Sequence, residues 1–252
     1  MPRIPIPPPA EIYDLAQPRP PVAQARRRGL VRRLVALLWR PLRWLILRAL
    51  VLMLALVMIF GWLINPPTTW TILTEAGDAD RSWTRAADIA PVMLRSVVAA
   101  EDANFCQHWG FDMAEIRRVI ARGESRGAST LTQQTAKNVF LWQGRSWVRK
   151  ALETTYTPMI DALWSKRRIV EVYLNVAEFG PGIFGIRAAA AHHFGTTPDK
   201  LSAGQAAALA AVLPAPKHRE ARPRSARARA IADGAETIRR DGRAACFEAA
   251  GA

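Results

Sequence analysis

Two cysteines in 252 residues, Cys106 and Cys246, are too few for a disulfide framework, and their spacing fits no zinc motif. They read as unrelated thiols, although an oxidising compartment would permit a bridge. Strand-like alternation is scarce, which argues against a sandwich or barrel and for a mainly α domain. No internal repeat is visible, so a solenoid is excluded. Acids are rare at the two ends. Residues 1–48 hold ten Arg against Glu11 and Asp14, and residues 217–252 hold nine Lys or Arg against five acids. Of the formal charge of +14, only +2 is left for the middle. The excess basicity therefore lies outside the part that reads as folded, and a basic nucleic-acid-binding domain is not the reading. The length suits one domain plus an anchor, with too little chain for two sizeable domains.

One long apolar run is present, WLILRALVLMLALVMIFGWLI, from Trp44 to Ile64. It meets the requirement of about 20 residues for crossing a bilayer. Arg48 is its only charge and can snorkel to the near interface. Trp44 and Trp62 sit where interfacial aromatics belong. A cleaved signal peptide would carry a small-residue site after the run, whereas Gly61 to Pro67 offers none. The Arg-rich flank precedes the run, so the positive-inside rule puts the N-terminus in the cytoplasm.

The chain divides accordingly. Residues 1–43 form a tail, Pro-rich and disordered over 1–25 and a candidate basic amphipathic helix over 26–43. Residues 44–64 are the transmembrane helix, 65–216 the folded domain, and 217–252 a loose Ala/Arg-rich tail. Asp88 to Pro91 opens a helix with Val92, Met93, Val97 and Ala100 at helical spacing. Residues 160–174 place Ile160, Leu163, Trp164, Val170, Tyr173 and Leu174 on one helical face. Ser202 caps a helix from Ala203 that Pro214 ends.

Three blocks carry chemistry. In the first, Glu101 and Asp102 end an apolar helix before Phe105, His108 and Gly110; an acid placed there is partly desolvated and suited to general base work. In the second, Gly127 to Asn138 gathers Ser129, Thr130, Gln133, Gln134, Lys137 and Asn138, donors for sugar hydroxyls or phosphate oxygens. In the third, Arg149, Lys150 and Glu153 share a helical face at i,i+4 and i,i+3. Such a trio is either a surface ion pair of little worth or a cationic clamp on a diphosphate beside a carboxylate.

In this order after a membrane anchor, these blocks closely resemble the glycosyltransferase family 51 peptidoglycan polymerases, whose patterns are E-D-x-x-F-x-x-H-x-G, G-x-S-T-x-x-Q-Q-x-x-K-N and R-K-x-x-E. A fourth block, Lys166 to Asn175, and a fifth, Gly182 to Ala190, resemble the family's K-x-x-I-[LVM]-E-x-Y-L-N and G-x-x-G-[IV]-x-x-A-A. The likeness spans about residues 80–216. It is closest to the monofunctional biosynthetic branch, since no Ser-x-x-Lys acylation motif of a penicillin-binding domain occurs. Ala128, where Gly is common, and His193, where an aromatic is common, are small departures.

The resemblance implies a lysozyme-like, mainly α fold with a small membrane-associated lobe, for which Val119, Ile120, Val139, Phe140, Leu141 and Trp142 are candidates alongside a plain core role. It implies a bacterial inner-membrane enzyme with a periplasmic domain. The substrates would be lipid II and the growing lipid-linked glycan, joined β-1,4 with inversion and loss of polyprenyl diphosphate. Glu101 would be the general base. Lys137, Arg149 and Lys150 would meet the leaving diphosphate, while Asp102, Ser129, Thr130, Gln133, Gln134 and Asn138 would orient sugars. Glu153, the family's second important acid, would stabilise positive charge at the sugar carbon or hold a divalent cation, Mg or Mn; no other cofactor is implied. Further partners would be other cell-wall synthesis or division proteins. Two rivals stand beside this reading. A lytic glycan hydrolase or lyase would share the fold and the Glu but needs no diphosphate clamp. A non-catalytic cell-wall scaffold would keep its role in Glu101→Gln.

Overall fold

The computed structural model of the chain describes residues 22–75, 82–123, 128–144 and 146–248, with the backbone alone for residues 22–36 and 38. Two compact units divide it, Met1–Val51 and Leu52–Ala252. The first contains most of α1 (Val22–Met58). The stretch Trp39–Leu63 is long and apolar enough to cross a membrane, with mean hydropathy 2.5 over its best window. Only 11% of that window is buried, so it is not a core helix. The tail expected over residues 1–21 lies outside the described residues, and the basic face expected over 26–43 falls largely on side chains outside them.

Within the second unit, the end of α1 passes into a π-helical turn, Ile59–Leu63. Such a turn frees carbonyls from the usual ladder. Side chains of the domain take them. Trp164 donates its indole N–H to Val57 O at 2.8 Å, and Arg168 donates to Phe60 O at 2.7 Å. Trp62 returns a bond to Leu163 O at 3.0 Å. Gly61 is required here, because a Cβ would stand 2.4 Å from Trp164 Nε1.

The rest is mainly helical, as the scarcity of alternation implied. In order come α2 (Trp70–Glu75), α3 (Pro91–Glu101), α4 (Met113–Arg122), α5 (Leu131–Phe140), α6 (Trp147–Leu163), α7 (Lys166–Val176), α8 (Ile186–Phe194), α9 (Ala203–Val212), α10 (Ala226–Arg240) and α11 (Ala245–Glu248). A short antiparallel hairpin, β1 (Glu178–Gly180) and β2 (Ile183–Phe184), stands between α7 and α8. Pro91 occupies the first turn of α3, where its missing N–H costs nothing. Ser202 caps α9 with Gln205 in a capping box. Two layers form the core: α3 with α9 and α10, and α5 with α6 and α7.

Three expectations are corrected. The single helical face drawn over 160–174 is two helices, because Trp164 is extended and Ser165 caps α7 by accepting from Arg168 N–H. The loose end expected past Pro216 is instead folded. Ala228, Ile231, Ala235 and Ile238 of α10 are buried at helical spacing, and Phe247 of α11 is fully buried. The two thiols read as unrelated are a disulfide, Cys106–Cys246, across 140 residues of sequence.

Candidate active site

Glu101 is the last residue of α3. Its Oε2 accepts from Gln134 Nε2 at 2.8 Å. Gln134 Oε1 in turn accepts from the Tyr173 hydroxyl at 3.1 Å. This relay from α7 through α5 fixes the carboxyl plane. Glu101 Oε1 is buried and has no hydrogen-bond partner among the described residues. Burial pushes the Glu101 carboxyl above its ordinary pKa, against the Gln134 bond and the charges of Arg227, Lys137 and Arg219. An oriented carboxyl with one lone-pair oxygen unused and raised basicity is equipped to take a proton.

Lys137 follows Gln134 by one helical turn on α5. Burial pushes its ammonium below the ordinary pKa; Glu153 and Glu101 oppose that fall, while Arg149 and Lys150 add to it. It is therefore a desolvated cation between two carboxylates. Glu153, on α6, is only 3% exposed. Arg149 donates to its Oε2 at 2.8 Å, and Lys150 to its Oε1 at 2.5 Å. The trio is thus not a solvated surface pair. Glu153 gathers two cations and spends both oxygens doing so. A divalent ion there would have to displace Arg149 and Lys150, and no second carboxylate joins Glu153 in any metal-ready group among the described residues. The donor set does not fit a metal.

Arg149 is braced further by Gly144 O at 2.8 Å, and Lys150 reaches Ser129 Oγ at 3.4 Å. Ser129 thereby joins the clamp. Asn138 lines a cavity of about 400 Å³ together with Gln134, Lys137, Tyr173 and Lys217. A second cavity, of about 330 Å³, is lined by Glu101, Asp102, Ser129 and Thr130. Glu101 thus lines the second cavity and its partner Gln134 the first.

Three residues expected to orient sugars also make hydrogen bonds within the fold, although Asp102 and Thr130 line the second cavity. Asp102 accepts from His108 at one oxygen (2.8 Å) and from the Leu131 N–H at the other (2.9 Å). Thr130 caps α5, forms a capping box with Gln133, and donates to Gly110 O at 2.5 Å. Their polar atoms hold the N-terminus of α5 against the loop after Glu101. The same pairing explains why Asp102, His108 and Asp112 cluster: Asp112 accepts from Asn104 and caps α4. Glu171 accepts from Trp83, the Ala86 N–H and Arg168, a supporting role.

The lobe candidates separate. Val139 and Leu141 are buried, and Phe140 stacks on Tyr156 at 4.4 Å between ring centres, so these are core. Ile120 and Trp142 are exposed, and with them Trp109, Trp147 and Val148. Trp147 is 91% exposed. Sequence reading missed Trp147 and Val148, although their place just before the clamp was visible.

The sequence pattern of the family described as Transglycosylase matches residues 69–238. The chain is 52% identical over 233 residues to the biosynthetic peptidoglycan transglycosylase of a Jannaschia species, covering 90% of this chain and 92% of that one. It is 46% identical over 201 residues to the protein of the same name from Stutzerimonas stutzeri, 75% and 81% of the two chains. A third, from Yersinia pseudotuberculosis, is 55% identical over 143 residues, 55% and 59% of the two. The half-buried acid at the end of α3, the cationic clamp and these matches together make the chain a member of the Transglycosylase family, a peptidoglycan glycosyltransferase of lysozyme-like, mainly α fold.

Proposed function

We propose that this protein polymerises glycan strands at the outer face of the bacterial inner membrane. The growing glycan, linked through its sugar C1 to polyprenyl diphosphate, is transferred to the 4-hydroxyl of the GlcNAc of lipid II. The acceptor oxygen bonds to C1 as the C1–phosphate oxygen bond breaks. Glu101 Oε1 takes the hydroxyl proton, and the diphosphate departs with the electron pair. One direct displacement inverts C1 and needs no covalent enzyme intermediate.

The observation that carries this reading is the pairing of Glu101, whose Oε1 is buried and unsatisfied, with the cations gathered by Glu153. Lys137, Arg149 and Lys150 form hydrogen bonds that strengthen as the leaving group gains charge. A desolvated ammonium such as Lys137 recovers more on meeting a phosphate than an exposed one would. Glu153 keeps the clamp arms parallel and, before substrate binds, neutralises them. Asp102, Thr130 and Gln133 act by fixing α5, which carries Gln134, Lys137 and Asn138.

The apolar stretch Trp39–Leu63 serves as a retained anchor, with the Arg-rich end cytoplasmic. The Cys106–Cys246 bridge suits an oxidising periplasm. Both substrates carry lipid tails, so tethering the site at the headgroup plane raises its effective concentration. Exposed Trp109, Ile120, Trp147 and Val148 supply an apolar surface that fits the lipid interface.

Incubation of the purified protein with lipid II tests the reading. A ladder of uncleaved glycan with released polyprenyl diphosphate supports it. Cleavage of finished glycan without use of lipid II would replace it with a lytic activity.

A further inference from the structure

Glu178 opens β1 and lies between the fourth and fifth sequence blocks, in neither of them. The transfer reaction gives it no part. It is half-buried and lines the same cavity of about 400 Å³ as Gln134, Lys137 and Asn138. One oxygen, Oε1, accepts from the Gly182 N–H at 3.3 Å, which fixes the carboxyl across the turn of the β1–β2 hairpin. The other, Oε2, has no hydrogen bond or ion pair among the described residues.

The groups around this cavity select its occupant. Glu75, at the end of α2, is held by Lys217 at 2.5 Å, so segments 142 residues apart meet there. Lys137 serves the diphosphate. Glu178 is then the carboxylate without a cation bonded to it. A cationic ligand is disfavoured beside Lys137 and Lys217, and an anionic one beside Glu75 and Glu178. Thr71 and Gln143, joined at 3.0 Å, add a hydroxyl and an amide. Phe184, Leu213 and Pro214 add apolar surface. A neutral, hydroxyl-rich ring with C–H faces meets all of these demands.

We propose that Glu178 is a sugar-binding residue whose free Oε2 accepts hydroxyl hydrogen bonds from the glycan strand whose diphosphate lies on Lys137. The inference rests on the polymerase reading and deepens it, since it adds a residue that selects the sugars of the donor rather than its lipid diphosphate. Burial raises the Glu178 carboxyl above its ordinary pKa, against the Gly182 N–H bond and the charge of Lys217, and Glu75 adds to the rise. A carboxylate short of water in this way gains when ligand hydroxyls supply the missing donors.

The test compares two ligands on the full-length protein in detergent: polyprenyl diphosphate carrying a tetrasaccharide of the glycan, and bare polyprenyl diphosphate. Affinities of wild type, Glu178→Ala and Glu178→Gln are measured beside thermal unfolding. The expected result is a loss of about tenfold or more for the sugar-bearing ligand in the Ala variant, with the bare ligand bound as by wild type. Glu178→Gln keeps an oxygen for the Gly182 N–H and so guards against damage to the hairpin. Its smaller loss is again confined to the sugar-bearing ligand. In polymerisation assays the KM for lipid-linked glycan rises while kcat holds. An equal loss on both ligands overturns the proposal, as do unchanged affinities in the variants or a wild type that binds both ligands equally. If wild type makes no polymer from lipid II, the polymerase reading fails instead, and the paired affinities still decide whether Glu178 holds sugar.

Discussion

Breaking the Cys106–Cys246 bridge should cost this domain much of its stability. The bridge spans 140 residues of sequence. In the chain-entropy treatment, closing a loop of that length removes denatured-state freedom worth about 5 kcal/mol at 25 °C. Native bridges commonly deliver less, about 2–4 kcal/mol, because the open chain keeps some order. The structure also says what stays behind. Phe247 is fully buried near Phe105, Glu248 pairs with Arg95, and Arg167 donates to Phe247 O and Glu248 O. These contacts hold α11 in place without the bond, so the loss should appear as lower stability rather than as a misfolded site. Cys246 is exposed, so Cys246→Ser adds no buried polar group. For a domain of this size, a loss of about 3 kcal/mol lowers Tm by roughly 6–12 °C. Thermal unfolding of wild type and Cys246→Ser in detergent, beside a free-thiol count, provides the measurement. Equal Tm values together with two free thiols in oxidised wild type would refute the reasoning.

Other outcomes follow from the same geometry. Arg149→Ala leaves one oxygen of a buried carboxylate uncompensated and should cost about 3 kcal/mol or more; Lys150→Ala, whose head is 41% exposed, should cost about 1 kcal/mol or less in denaturant titrations. Trp164→Phe strips the Val57 carbonyl of its buried donor and should destabilise by about 1–3 kcal/mol, read by thermal unfolding. Glu101→Gln should unfold at a higher temperature than wild type at neutral pH. The folded-state pKa of Glu101 is raised, so its contribution is fully present below the ordinary glutamate pKa and lost as pH rises through the folded value. The advantage of the Gln variant should therefore vanish as the pH is lowered to the ordinary glutamate range, and a constant advantage at all pH values would contradict this.

Much of the site was legible because its residues had to be specific types at fixed spacings. Glu101 at the end of an apolar helix, and Arg149, Lys150 and Glu153 on one face, could be placed from helical geometry, whereas their roles were implied by the family resemblance. The capping box at Ser202 and Gln205 was equally local. What escaped was decided at long range. The internal partners of Asp102 and Thr130, namely His108, the Leu131 N–H and Gly110 O, come into reach only on folding. The tail reading failed at α10 because its buried stripe is built from Ala228, Ile231, Ala235 and Ile238. Two alanines bury little area, and the four arginines of the helix (Arg227, Arg229, Arg239 and Arg240) hid the period. The cysteine pair could not be inferred, since nothing local brings residue 106 to residue 246. The break at Trp164 and Ser165 was available in principle, as Ser before a basic run is a capping signal, but the apolar face running across it won.

The central claim is that one buried carboxylate removes the acceptor proton. The most direct measurement is the initial rate of lipid II polymerisation by Glu101→Gln beside wild type, with binding of lipid II followed in the same preparations. The expected rate is lower by about 10² to 10⁴ with binding retained. A Gln variant that builds glycan within a few-fold of the wild-type rate would contradict it.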